Sequence, residues 1–260
     1  PTPIVNLADF YAINDWADGI GRVVDMADTR KLAEMVSEAP EHQFGNLADD
    51  RLVEALERLG RCLTNINVNE VATVADEALA VVKQKMEDAT QAERLLLESV
   101  IKAFGELGGK RGERCYDATY YELQRSIIKL LVQYGYYMQA CTVMRECIGS
   151  LGMTWVVDSD NDRKYADILC NMMQYSKWKF SEKQKETVNC LIPLRDFLGD
   201  EFWKMLSGVM KKIINIRNGF DHAWTSTSMP KNITEQAQSI HAQFETVFPA
   251  IAARVCAHKS

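Results

Sequence analysis

Leu52-Val53-Glu54-Ala55-Leu56-Glu57-Arg58-Leu59-Gly60-Arg61-Cys62-Leu63 is the stretch whose reading decides the fold class. Its leucines recur at steps of four, three and four, with charged residues between them, so winding at about 3.6 residues per turn gathers the apolar groups on one face. The same spacing extends outward in both directions. Upstream it runs through Phe10, Ile13, Trp16, Ala17, Ile20, Val23 and Val24, and downstream through Val71, Val74, Ala75, Ala78, Leu79 and Val82. Thr90 with Glu93 forms a capping-box pattern ahead of Leu95-Leu96-Leu97. Only Thr154 to Val157 alternates in the manner of a strand. The chain therefore reads as all-α.

Beyond Gly105-Glu106-Leu107-Gly108-Gly109-Lys110-Arg111-Gly112, where glycines break the periodicity, further helices are expected. They fall near Tyr116 to Tyr134, Tyr136 to Ile148, Asp162 to Tyr175, Ser181 to Leu198, Asp200 to Arg217 and Asn232 to Ala257, with Asn232 and Glu235 capping the last. Pro193 and Pro249 are expected to kink or split their helices, and Asp158 to Asp162 reads as an exposed loop. The glycine-rich break divides the chain into an N-terminal helical segment, residues 1–110, and a helical domain, residues 111–260.

Composition bounds the function. The 260 residues are 47% hydrophobic and 25% charged, the balance of a globular protein. No apolar run approaches the roughly 20 residues that span a bilayer, and no basic segment with a hydrophobic core opens the chain, so a cytoplasmic protein without a membrane partner is expected. The chain opens with Pro1 and no Met, the mark of a processed product or a piece of something longer. Seven scattered cysteines, none in CxxC spacing, read as reduced core fillers rather than disulfides or a zinc ribbon. His42, His241 and His258 show no metal-ligand spacing, and no phosphate-binding glycine loop, GxSxG or HExxH occurs; neither a metal nor a cofactor is expected.

Net charge is −6, but residues 1–109 carry 10 basic and 20 acidic side chains whereas residues 110–260 carry 20 and 16, so the parts stand at −10 and +4. Lys204, Lys211, Lys212 and Arg217 follow Phe202 with no acidic residue among them. That local positive field suits phosphates; a solvated helix face is the plainer reading.

The field ends on Ile213-Ile214-Asn215-Ile216-Arg217-Asn218-Gly219-Phe220-Asp221-His222. Arg217 offers a permanent, fork-shaped cation for phosphate oxygens, His222 the side chain most readily set to move protons near neutral pH, and Asn218 an orienting amide. Asn218-Gly219 is a turn signal, so a bend is expected to fold His222 back toward Arg217. Eight of the nine tyrosines lie between Tyr116 and Tyr175, placed either to stack bases or to pack the core. Gln139, Arg145 and Glu146 interrupt an apolar face, as a polar network buttressing the site or as ordinary surface residues.

Arg217-Asn218-Gly219-Phe220-Asp221-His222, closing an apolar helix in an all-α chain, resembles the R-x4-6-H signature of HEPN ribonucleases, in which a polar residue commonly follows the arginine. Tyr134 to Ala140, Arg145-Glu146, Asp15-Trp16-Ala17 and Gly21 to Leu32 look like the helical part of CRISPR-associated CARF-HEPN accessory ribonucleases of type III systems. The resemblance implies a helical bundle of HEPN type with additional N-terminal helices. It also implies metal-independent cleavage of single-stranded RNA in antiviral defence, by catalytic Arg217, Asn218 and His222. Lys211 and Lys212 would attract the strand, and two protomers would bring their motifs into one composite site. Such proteins place a Rossmann-like cyclic-oligoadenylate sensor before the effector, and no alternating strand and helix pattern supplies one here. The sensor is then cut off, carried on another polypeptide, or replaced by another trigger. A non-catalytic helical interaction module and a toxin-like HEPN subunit held by an antitoxin are the rival readings.

Overall fold

The computed structural model describes residues 8–38, 44–109, 116–156, 163–175, 180–221 and 232–259. Every regular element among them is a helix. Contacts divide the chain into two compact units, residues 1–109 and 110–260.

The first unit holds α1 (Ala8–Met26), α2 (Arg30–Glu38), α3 (Asp50–Thr64), α4 (Val68–Glu87) and α5 (Gln91–Phe104). The leucine stripe is why α3 exists: Leu52, Leu56, Leu59 and Leu63 are all buried, against the α4 face of Val71, Val74, Ala75, Ala78 and Val82. Asp49 starts α3 by accepting from the Arg51 and Leu52 backbone N–H groups at 2.9 and 3.2 Å, and its other oxygen pairs with Lys85 of α4. The Thr90–Glu93 capping box forms at the start of α5. In α1, Trp16, Ile20 and Val23 are buried.

The second unit holds α6 (Ala118–Gln133), α7 (Tyr137–Trp155), α8 (Lys164–Gln174), α9 (Glu182–Asp221) and α10 (Ile233–Lys259), with α7 touching the other four. Small residues let α7 sit there. A Cβ on Gly152 would come within 2.9 Å of the Tyr165 carbonyl oxygen on α8, and one on Gly149 within 3.2 Å of Ala166. No helix of the described residues is long and apolar enough to cross a membrane.

Several local expectations give way to tertiary packing. Helix α7 does not stop at Ile148 but runs on through Gly149 and Gly152, so Thr154 is helical and buried rather than strand-like. Helix α9 continues through Pro193, as α10 does through Pro249. The break in α9 falls at Gly199, between the two helices expected at Ser181 to Leu198 and Asp200 to Arg217, and its φ of 78° and ψ of 165° belong to a region essentially reserved for glycine. The bend expected at Asn218-Gly219 is absent: Gly219 is buried, and the helix carries past it to Asp221. The Asp158 to Asp162 loop lies outside the described residues.

Candidate functional site

Residues 200–221 of α9 bury Trp203, Leu206, Met210, Ile213 and Ile216, which fixes where the polar positions point. Seven residues of helix fall about 20° short of two turns and advance about 10 Å. Lys204, Lys211 and Asn218 therefore line one exposed stripe, all three being exposed. Lys212 lies about 100° around the helix from Lys211. Its Nζ donates to Gln243 Oε1 on α10 at 2.7 Å, so the two lysines expected to work together face different surroundings.

Arg217 is on the last full turn, half-buried, with its Nε 3.5 Å from Asp221 Oδ2 one turn on; the two side chains are 35% and 42% exposed. Asn218, next in the chain and about 100° around the helix, is on the exposed stripe. His222, the third member of the motif, lies outside the described residues. The structure thus places Arg217 and Asn218 in the last described turn of α9, together with Asp221, a carboxylate that the sequence motif also contains.

A groove of about 680 Å³ opens on the same helix, between the end of α8 and both arms of α9. Its apolar wall comes from Met172 and Met173, both buried, and from Trp203. Tyr175 stands at its edge, 54% exposed. Arg195 enters from before the Gly199 break, Lys204 and Lys211 from after it, and no carboxylate lines the groove among the described residues. Ser207, 9% exposed, lies between the lysines, and its Oγ has no hydrogen-bond partner among the described residues. Sequence spacing holds the Lys204–Lys211 half of this groove; Tyr175 and Arg195 reach it only through the packing of α8 on α9.

Elsewhere in the unit, Arg145 is the hub of an ion network. It donates to Glu146 Oε1 at 2.7 Å and to Asp167 Oδ1 of α8 at 3.2 Å, and Arg163 donates to Glu146 Oε2 at 2.9 Å. With its side chain 17% exposed, Arg145 ties α7 to α8 rather than decorating the surface. Among the tyrosines, Tyr121 is a core residue whose hydroxyl meets Thr154 Oγ1 at 2.7 Å. The buried cysteines of this unit are inert fillers: burial pushes the Cys141 and Cys170 thiols up to about 12 and Cys147 well above the ordinary thiol value. No group of three His, Cys, Asp or Glu side chains is arranged to hold a metal among the described residues.

No protein-family model matches the chain, and no curated protein matches it.

Proposed function

We propose that this chain is an endoribonuclease of HEPN type that cleaves single-stranded RNA without a metal. The carrying observation is the last described turn of α9, where a part-exposed Arg217 guanidinium and an exposed Asn218 precede His222 in the chain. The RNA's own 2'-hydroxyl attacks the adjacent phosphorus, so the nucleophile is intramolecular and no metal-activated water is needed. His222 moves the proton, from the 2'-hydroxyl or to the departing 5'-oxygen. Arg217 takes up charge on the phosphorane oxygens, and Asn218 orients the phosphate. The P–O5' bond breaks, leaving a 2',3'-cyclic phosphate and a 5'-hydroxyl. One motif supplies a single proton-transfer group, and a second copy about a two-fold axis completes the acid–base pair.

The pairing of Arg217 with Asp221 speaks for the rival interaction module, in which the arginine is satisfied within its own chain. An ion pair this exposed contributes only about 0–1 kcal/mol, however, so a phosphate displaces the carboxylate readily. The test is incubation of the full chain with mixed RNA in EDTA, beside His222→Ala. The expected result is cleavage to cyclic-phosphate ends by the wild type and none by the variant, at an unchanged melting temperature. Products with 5'-phosphates, or cleavage that persists in His222→Ala, refute the assignment. Full specific activity in a demonstrated monomer refutes the two-fold site.

A further inference from the structure

The groove beside Tyr175 has the composition of a site for a flexible, ring-bearing polyanion. Its three cations sit at separate points: Arg195 on one arm of α9, with Lys204 and Lys211 about 10 Å apart along the other. That spread suits several anionic groups in succession better than one. The wall of Met172, Met173 and Trp203 with the exposed Tyr175 ring offers a face on which a planar base stacks. Between the lysines, the Ser207 hydroxyl is buried and has no partner among the described residues, a donor and acceptor left for a ligand. The volume of about 680 Å³ suits a nucleotide-sized group.

The stripe continues out of the groove. Asn218 follows Lys211 at the same seven-residue interval as Lys211 follows Lys204, so a strand seated in the groove and running along α9 arrives at the Arg217–Asn218 end after about another 10 Å. We infer that the groove is a subsite for single-stranded RNA, holding a nucleotide that flanks the cleaved bond: its base on Tyr175, its phosphates at Arg195, Lys204 and Lys211, and a polar group on Ser207. The choice of RNA as the strand rests on the ribonuclease reading above. The site fits a chain of net charge −6 whose groove is lined by no carboxylate among the described residues, and shows why Gly199 matters: its bend brings Arg195 to the same groove as Lys204.

The experiment measures binding, not cleavage. A labelled, roughly 12-nucleotide single-stranded RNA is titrated by fluorescence anisotropy against the full chain carrying His222→Ala, then with Lys204→Glu plus Lys211→Glu or Tyr175→Ala added. The expected result for the charge reversals is a Kd raised at least roughly 30-fold, with the slope of log K on log salt reduced in magnitude by about 1.4, the equivalent of two phosphate contacts. Tyr175→Ala is expected to weaken binding at least roughly fivefold, and the same RNA as a duplex to bind as weakly as the charge-reversed protein. Thermal melts of both variants stay at the parent value, because the changed side chains are exposed. An unchanged Kd and salt slope, or equal affinity for duplex and single strand, overturns the subsite. The two readings separate cleanly: loss of binding in the groove variants beside a wild type that leaves RNA intact keeps the groove and removes the ribonuclease. Cleavage by groove variants at the wild-type KM does the reverse.

Discussion

Glu93 and Tyr121 are each 2% exposed, one in each compact unit, and their surroundings solve the burial of a polar group in opposite ways. Glu93 is kept ionised. Its carboxylate accepts from Thr90 N and Oγ1, both at 2.8 Å, and from Asn46 N and Nδ2 at 3.1 and 3.3 Å. Burial pushes the carboxyl up, but these four hydrogen bonds outweigh it and hold it below the usual carboxylate range. Tyr121 sits in a neutral chain of side chains, with Thr154 Oγ1 at 2.7 Å and Ser150 Oγ donating at 3.3 Å. Nearby Cys147 donates to Gln124 Oε1 at 2.8 Å. A buried charge fastens the start of α5 to the Asn46 segment, whereas neutral hydroxyls and a thiol join α6 to α7. The first unit's interior is linked to pH, and the second's neutral chain is not.

Breaking the charged arrangement is expected to have the largest effect. Glu93→Ala strips the capping box and leaves the part-buried donors of Thr90 and Asn46 without the carboxylate, which costs about 1–3 kcal/mol. The measurement is hydrogen exchange at the amides of α5 and of residues 44–49, and a loss under about 1 kcal/mol would mean that water replaces the carboxylate. The sign of the pH effect follows from the lowered pKa: the contribution is present above the unfolded value of about 4.3 and is lost as pH falls through the folded one. Glu93→Gln is expected to remove that pH dependence.

Tyr121→Phe sharpens the other side of the comparison. It keeps the ring, which packs on Phe248 with centroids 5.4 Å apart, and removes only the hydroxyl. The expected cost is about 1–2 kcal/mol, because Thr154 retains the Ser150 and Tyr116 carbonyl oxygens as acceptors at 3.1 and 3.2 Å. Denaturant melts at pH 7 and pH 4.5 should give the same difference between variant and parent. A difference that changes with pH would tie the neutral chain to a titrating group and dissolve the contrast with Glu93.

What was legible in the sequence divides along similar lines. The stripes of α3 and α4 and the Thr90–Glu93 cap are local patterns, and each describes its own burial. The helix end expected at Ile148 and the bend expected at Asn218-Gly219 both fall beside a glycine, a helix breaker by propensity, whereas here Gly149, with Gly152, admits the α8 backbone and Gly219 is buried on the core face of α9. The break at Gly199 was legible too, since the pattern already separates Ser181 to Leu198 from Asp200 to Arg217, whereas Pro193, expected to kink or split its helix, is carried through. Of the candidate site, Arg217, Asn218 and the lysine pair could be picked out as residue types. The pairing of Lys212 with Gln243 depends on α10, and Tyr175 shares a groove with Lys211 only because α8 packs on α9, relations that no spacing along the chain encodes.

The smallest expected effect is at the end of α9. Asp221 follows Arg217 by one turn, the less favourable order for an acid–base pair on a helix. A pair kept for stability would be built the other way round. Asp221→Asn is therefore expected to leave unfolding free energy within about 0.5 kcal/mol of the parent or to raise it slightly. In the ribonuclease reading the carboxylate's work is to hold the Arg217 guanidinium until a phosphate displaces it, so the same variant should shift kcat/KM for RNA while its melting temperature stays put. A stability loss of more than about 1 kcal/mol would make the Arg217–Asp221 pair structural. That outcome would move the balance toward the interaction module, in which the arginine never leaves its carboxylate.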